Sequence, residues 1–318
     1  MNKKSKVLQS GKPVLVIGAA GVDIVGRLQG TKFEHGSNPA YIRTSFGGVA
    51  RNVAENLARL GQEVIFIGTV GNDIYADQLL KTICSAGVNT DYVIRLDNQS
   101  TGMYIGVYNP ATELLFALDN MEICKLITPE YIRGNESLIK NAACIFVDMN
   151  LSQETLRTIF TLAKRYHLAV CADTTSPHLA HKLIPYLPYL YLITPNAAEA
   201  SALLELSQKI TSRKQALLSA KALVSRGVDI VIITLGEHGL CYATSETSGY
   251  IPAIQTTIAD PTGAGDALTA AVLFALLNDI PLDDSVRLGV SAATLTLQYP
   301  GSVIPDLTLE KLYDQLVI

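Results

Sequence analysis

Six short runs rich in apolar and β-branched residues punctuate the chain, at 13–18, 63–68, 143–147, 168–172, 191–194 and 230–234, each bounded by turn residues. Runs of that length with those boundaries read as buried strands. Amphipathic patterns lie between them. At 49–60, Ala50, Val53, Ala54, Leu57 and Leu60 share one helical face, Arg51, Glu55 and Arg59 share the opposite one, and Gly61 follows as a terminator. The stretch 212–226, stopped by Gly227, carries a similar stripe. Repeated β–α alternation implies an α/β fold: a mostly parallel central sheet with helices on both faces, its ligands bound at the carboxyl ends of the strands.

Two segments break the alternation. At approximately 28–45 and 91–119 the chain is strand-like and rich in turns, and Met103, Ile105 and Val107 alternate with Tyr104, Gly106 and Tyr108. These segments are expected to form a small β-sheet lid on one domain spanning 1–318. Apolar character on both faces of such a sheet would leave one face uncovered, which predicts a homodimer through the lid. The competing expectation is an ordinary extension of the main sheet.

Charge and composition narrow the partners. A net charge of -4 with no basic block gives no footprint for nucleic acid. The longest apolar run, 267–277 with Thr269 inside it, is too short for a bilayer. Lys3, Lys4 and Lys6 ahead of the apolar 14–20 superficially resemble a signal peptide, but Pro13 precedes that run and Gly21-Val22-Asp23 follows it, as in a first strand running into a site loop. The five cysteines include no Cys-x-x-Cys pair, and Cys144, Cys171 and Cys241 lie in strand-like runs. Buried reduced thiols and a cytoplasmic location are expected. The five histidines form no metal-binding pattern.

The chemistry is concentrated in Asp260-Pro261-Thr262-Gly263-Ala264-Gly265-Asp266-Ala267, which opens an apolar helix. Gly263 and Gly265 let the backbone approach a ligand, and the unpaired N–H groups of a helix start favour phosphate. Asp266 stands where a carboxylate can take a proton from an attacking hydroxyl, so the segment points to phosphoryl transfer to an alcohol. A dipole-complementing Asp is the plainer account of that residue alone.

Further polar clusters end the expected strands. Gly47 and Gly48 open the helix containing Asn52, an amide that both donates and accepts. Asp23 follows the first strand and suits a vicinal diol. Asn196-x-x-Glu199 has the spacing of a capping box, and also places a hard oxygen ligand for hydrated magnesium at a strand end. Thr234-Leu235-Gly236-Glu237-His238-Gly239 is either a nucleotide contact or a hairpin turn. Neither a P-loop nor the protein-kinase motif set is present, and no complete Gly-x-Gly-x-x-Gly follows the first strand.

Taken in order, Gly47-Gly48 with Asn52, Asn196-x-x-Glu199, Thr234-x-Gly236-x-x-Gly239 and Asp260-x-Thr262-Gly263-Ala264-Gly265-Asp266 resemble the ribokinase-like (PfkB) carbohydrate kinases over roughly 13–305. Within that family, Ser37-Asn38-Pro39, Gly47 to Asn52, Asp119-Asn120-Met121 and Asp148-Met149-Asn150 are most similar to the pseudouridine kinases. The resemblance implies a Rossmann-like domain with a β lid, ATP and Mg2+ as cofactors, and transfer of the γ-phosphoryl group to the 5′-hydroxyl of a nucleoside. Ribose, adenosine or another sugar is the alternative acceptor, and a non-catalytic nucleoside-binding regulator the alternative class. By the same resemblance Asp266 is the base, and Gly263, Ala264 and Gly265 form the anion hole. Asp23, Gly47, Gly48 and Asn52 hold the sugar, with Ser37, Asn38, Asn120 and Asn150 near the nucleobase. Asn196, Thr234, Gly236, Gly239, Ala292 and Thr296 border the nucleotide, and Glu199 orders magnesium through water. Some family members bind a monovalent cation such as K+ beside the anion hole, where Asp260 and the Thr262 carbonyl are the candidates. Pro261 departs from the usual polar residue there and lacks an N–H.

Overall fold

The computed structural model describes residues 6–111 and 113–316, so Lys3 and Lys4 lie outside the described residues. Among those described, nine strands form the main sheet, in the order Ser248–Ile251, Leu240–Ala243, Ile230–Thr234, Leu192–Ile193, Val170–Ala172, Ile145–Val147, Val14–Ile17, Val64–Ile67 and Val88–Asn89. The seven from Ile230–Thr234 onward pair in parallel, and the first two add as antiparallel edge strands. All six runs identified in the sequence lie in this sheet.

The alternation of side chains along a strand builds two cores. Val14 and Val16 face one core with Phe66 and Phe146, shared with the helices Val49–Arg59, Ala264–Leu277 and Leu282–Leu297. Leu15 and Ile17 face the other with Ile145 and Val147, beneath the helices Gln153–Tyr166 and Arg213–Ser225. A strand covered on both faces must be apolar throughout, as these are. Helix Ala264–Leu277 is buried over most of its surface, which accounts for its nearly unbroken apolar sequence.

Val14–Ile17 pairs with Val64–Ile67 on one side and Ile145–Val147 on the other. The chain therefore reverses its direction of winding at the first strand, and a crevice opens at the carboxyl ends there.

A separate four-stranded sheet has the order Ala40–Gly47, Gly21–Leu28, Gly102–Tyr108, Leu114–Asn120. It is not an extension of the main sheet. It also starts earlier than the expected 28: Gly21-Val22-Asp23, read above as a site loop, begins a strand. The segment around 94–96 falls outside it, because Ile94–Leu96 pairs with Thr69–Gly71 in a two-stranded sheet of its own. The Gly21–Leu28 strand carries a weak signal, because Val25 among the polar positions and Gly26 among the apolar ones break its alternation.

Register sorts the faces of this sheet. Asp23 lies opposite Ser45 and Tyr104, Tyr104 opposite Asp119, Val25 opposite Arg43, and Arg27 opposite Tyr41 and Tyr108. The other face carries Ile24, Ile42, Ile105, Val107, Phe116 and Leu118, of which Ile42, Phe116 and Leu118 are exposed. All five cysteines are free thiols, four of them buried. No helix among the described residues is long and apolar enough to cross a membrane.

Candidate active site

Gly263 caps helix Ala264–Leu277 in the left-handed conformation, with φ 80°. A Cβ there would lie 2.1 Å from the Ser302 carbonyl oxygen, so both conformation and packing demand glycine. The first intrahelical bond runs from the Ala267 N–H to the Gly263 carbonyl, leaving the N–H groups of Ala264, Gly265 and Asp266 in the unpaired first turn. Gly265 is exposed, with no atom within 4 Å of where a Cβ would stand. Thr269, one turn on, donates to the Gly265 carbonyl at 2.9 Å and bonds Thr194 at the end of a main-sheet strand at 2.7 Å, which ties this helix start to the sheet.

Asp266 is buried beneath the turn, and its Oδ2 accepts from Asn52 Nδ2 at 2.6 Å. Burial pushes its carboxyl up to about 7. The Asn52 bond and the Arg51 charge act against that rise, while Asp23 and Asp148 add to it. A carboxylate at that value can accept a proton near neutral pH. Asn52 is itself oriented: Arg51 Nη1 donates to its Oδ1 at 2.8 Å, which turns the amide nitrogen toward Asp266. Arg51 is held in turn by an ion pair with Glu55, which also binds Arg59.

Asp23 comes from the lid strand and is buried. A Cβ on Gly47, two residues beyond Ser45, the register partner of Asp23, would fall 2.1 Å from Asp23 Oδ2, so Gly47 is required by the carboxylate. Gly48, with φ 97°, caps the Asn52 helix and lies against Ala19. Burial pushes Asp23 up to about 6; Arg51 and Arg43 oppose this, and Asp260 and Asp119 reinforce it.

Three further carboxylates lie near the carboxyl ends of the sheet, two directly after strands and Glu199 in the first turn of helix Ala197–Leu203. Asp148 is fully buried, its Oδ2 accepting the N–H groups of Ala19 and Ala50, its Oδ1 the N–H and side-chain amide of Asn150. It pins the first strand, the Asn52 helix and its own strand together. Asp173, which belongs to no motif in the sequence, is half-buried and follows Val170–Ala172. Withdrawal from water, then the charges of Asp266 and Glu199, push its carboxyl well up. Glu199 Oε2 accepts from the Asn196 N–H at 2.9 Å and from Thr174 Oγ1 at 2.7 Å, and the capping box is complete. The described residues contain no group of three or more His, Cys, Asp or Glu able to hold a metal directly. Glu199 with Asp173 nearby suits a hydrated magnesium, a hard ion that keeps most of its waters.

A cavity of about 660 Å³ adjoins them, lined by Asn196, Thr211, Arg213, Thr234, Gly236 and Tyr250 among others. That size is typical of a small-molecule site. The Arg213 guanidinium stacks over the Tyr250 ring at 3.8 Å, a wall feature with no signal in local sequence. The Thr234–Gly239 segment is the hairpin turn and contributes to the cavity at once. Gly239, however, does not line it. Gly239 closes the turn, its carbonyl accepting from the Leu235 N–H, and a Cβ there would meet the Ile251 carbonyl oxygen at 2.1 Å.

Several expected contacts are not brought to the site. Ala292 and Thr296 are fully buried within helix Leu282–Leu297, where Thr296 donates to the Ala292 carbonyl. Asn38 accepts from the Phe33 N–H and donates to the carbonyls of Phe33 and Gly36, stapling its own loop. With Ser37 it lines a different cavity of about 770 Å³, against Ile24 and Ile105 on the apolar lid face. Asn120 pairs with Met103, on the face opposite Asp23. Asn150 lies close by, but its amide donates to Asp148. The face that Asp23 shares carries Arg27, Arg43, Tyr104 and Asp119 instead. Tyr104 is pushed up to about 12 by burial and then by Tyr108.

Nor does Asp260 offer a free carboxylate for K+. Its Oδ1 accepts from the Thr262 N–H at 3.0 Å, and its Oδ2 is ion-paired with Arg43 Nη2 from the lid. A guanidinium on that oxygen repels a second cation, so the expected monovalent site does not fit these residues.

Sequence comparison now bears on the whole arrangement, since the description "pfkB family carbohydrate kinase" matches residues 12–309. The chain belongs to the pfkB family of carbohydrate kinases. This pfkB kinase is 30% identical to the pseudouridine kinase of Escherichia coli, with 93% of this chain and 94% of that protein covered. It is 28% identical to the guanosine-inosine kinase of Exiguobacterium acetylicum, covering 92% of this chain and 95% of the other. Among solved structures it superposes on a carbohydrate kinase from Agrobacterium tumefaciens with a TM-score of 0.80 and 27% identity, covering 96% and 97% of the two chains. An Arabidopsis thaliana ribokinase complexed with ribose and ATP shares the fold, with a TM-score of 0.83 at 21% identity and coverage of 96% and 99%. The pfkB kinase thus has the ribokinase fold: a mainly parallel sheet flanked by helices, with a small, largely antiparallel sheet beside it.

Proposed function

We propose that this pfkB kinase transfers the γ-phosphoryl group of ATP to the 5′-hydroxyl of pseudouridine. The observation that carries the reading is Asp266, a buried carboxylate pushed up to about 7 directly under an open, unpaired helix turn. Asp23 accepts hydroxyls of the ribose, leaving the 5′-hydroxyl to Asp266. As the hydroxyl oxygen attacks, its proton passes to the Asp266 carboxylate, the new O–P bond forms, and the bond from the γ-phosphorus to the bridging oxygen breaks to release ADP. The N–H groups of Ala264 and Gly265 stabilise the charge on the transferred group. ATP occupies the cavity beside Thr234 and Gly236. A magnesium ion, when bound, neutralises phosphate charge, and Glu199 with Asp173 would hold its waters.

The ribosyl chemistry is shared with other acceptors. The similarity to a pseudouridine kinase favours that nucleoside, and a guanosine-inosine kinase at nearly equal identity makes purine nucleosides the second reading. We take 1–318 as one kinase domain, dimerising through the apolar lid face, and its free thiols accord with the cytoplasm. ADP release measured with pseudouridine, uridine, inosine and ribose tests the reading. The highest kcat/KM is expected for pseudouridine. Equal or better use of another acceptor removes pseudouridine and leaves the kinase, while no ADP release with any acceptor removes the kinase activity as well.

A further inference from the structure

We propose that Arg43 is a positioning residue for phosphoryl transfer, supplying from the lid the positive charge that Asp260 requires and so replacing a bound monovalent cation beside the anion turn. The proposal rests on the kinase reading above. Asp260 is buried and precedes the Gly263 turn by three residues. Its bond to the Thr262 N–H bends the chain around Pro261, which has no N–H of its own, so the carboxylate is needed for the shape of the turn. Its negative charge is nevertheless adverse there. A buried carboxylate beside an incoming phosphate is weakly screened and repels it unless a cation is paired with it.

Arg43 provides that cation from 217 residues away in sequence. It lies on the lid strand Ala40–Gly47 opposite Val25, and a cleft of about 230 Å³ lined by Val25, Arg27, Tyr41, Arg43, Asp260 and Pro261 separates the lid from the turn. The charge on Asp260 is therefore met from the lid sheet and not from the turn itself. Arg43 Nε makes no hydrogen bond among the described residues, so the guanidinium meets Asp260 through Nη2.

The test compares wild type, Arg43→Lys and Arg43→Ala in K+ and in tetramethylammonium at equal ionic strength, by steady-state kinetics and by melting. Wild type is expected to turn over equally in both salts. Arg43→Ala in tetramethylammonium loses kcat by about 10-fold or more, consistent with removal of an electrostatic contribution, with KM for ATP less affected. Arg43→Lys keeps most of the rate, and K+ raises both the rate and the melting temperature of Arg43→Ala while leaving the wild-type melting temperature unchanged. Marked K+ activation of wild type, an unimpaired Arg43→Ala, or an impaired Arg43→Ala that K+ does not restore overturns the proposal. Because wild type is assayed alongside, each of these results is distinct from absence of kinase activity.

Discussion

Asn52 donates its side-chain amide to the Asp266 carboxylate at 2.6 Å across 214 residues of sequence, joining the first turns of two helices that sit on the same face of the sheet. Because Arg51 holds the other end of the amide, Asn52 is a fixed donor and lowers a carboxyl that burial raises. Two consequences follow for pH. Asp266 must be ionised to accept a proton, so kcat/KM rises with pH through about 7 and levels above it. Asn52→Ala removes the opposing bond and moves that limb to higher pH; an unmoved limb in the pH–rate profile contradicts the assignment.

Asp266→Asn keeps the fold and lowers turnover by about 10²–10⁴, because the amide is nearly isosteric but accepts no proton. Stability changes in the opposite direction. The folded carboxyl lies above its ordinary 3.8, so the native state binds the proton more tightly and stability is lost as pH rises from there through about 7. The variant escapes that loss: its melting temperature exceeds wild type at pH 8, and the gain vanishes near pH 4. An equal gain at both values points to a cause other than this titration.

The two glycines of the Gly263 helix start separate strain from ligand access. Gly263→Ala combines a left-handed residue with the Ser302 backbone and costs about 1–2 kcal/mol or more. Gly265→Ala meets nothing in the protein and raises helix propensity by up to about 1 kcal/mol, so its melting temperature is maintained. Its turnover nonetheless falls on the order of 10²-fold if phosphate must occupy that space. Full activity in Gly265→Ala places the phosphate elsewhere.

Asp23→Ala weakens the acceptor far more than ATP. A hydrogen bond to a charged group is worth about 1.5–3 kcal/mol, hence about 10-fold or more in acceptor affinity. Calorimetry giving the same loss for both ligands assigns Asp23 to folding rather than recognition.

Glu199→Gln retains an oxygen for the capping box and should raise the magnesium concentration needed for half-maximal rate, with little change in melting temperature. A large fall in melting temperature with unaltered magnesium dependence makes Glu199 a cap alone.

Ile42→Glu places a charge on the exposed apolar lid face and is expected to convert a dimer to monomers in sedimentation velocity. A wild type that sediments as a monomer, or a variant that stays dimeric, rules out this face as the interface.

Local sequence was sufficient for elements whose period or chemistry is local. The six strands were legible because buried parallel strands are apolar on both faces, and the Gly263 helix start because its glycines and Asp266 lie within one turn. The Asn196–Glu199 capping box is likewise a four-residue device, present in the structure as its spacing suggested. The Gly21–Leu28 strand was not legible, since Val25 and Gly26 fall on the wrong faces for a regular alternation. Ser37, Asn38 and Asn120 were expected near the nucleobase, yet loop staples and strand register turn them away from the face of Asp23. One residue of register exchanges the two faces of a sheet, and no nearby sequence declares which is inward.

The sequence by itself determined the α/β alternation, the glycine-rich helix start at Gly263 and the place of Asp266 in its first turn, because each depends on residues within a helical turn or a strand of one another. Tertiary structure alone decided what surrounds that carboxylate. Asn52 reaches Asp266, Arg43 reaches Asp260, and Asp173 approaches Glu199 only after strands distant in sequence have paired and aligned their carboxyl ends. The electrostatic character of the site follows from that convergence. The rise of Asp266 to about 7 comes from burial and from charges distant in sequence, quantities that exist only in the folded chain.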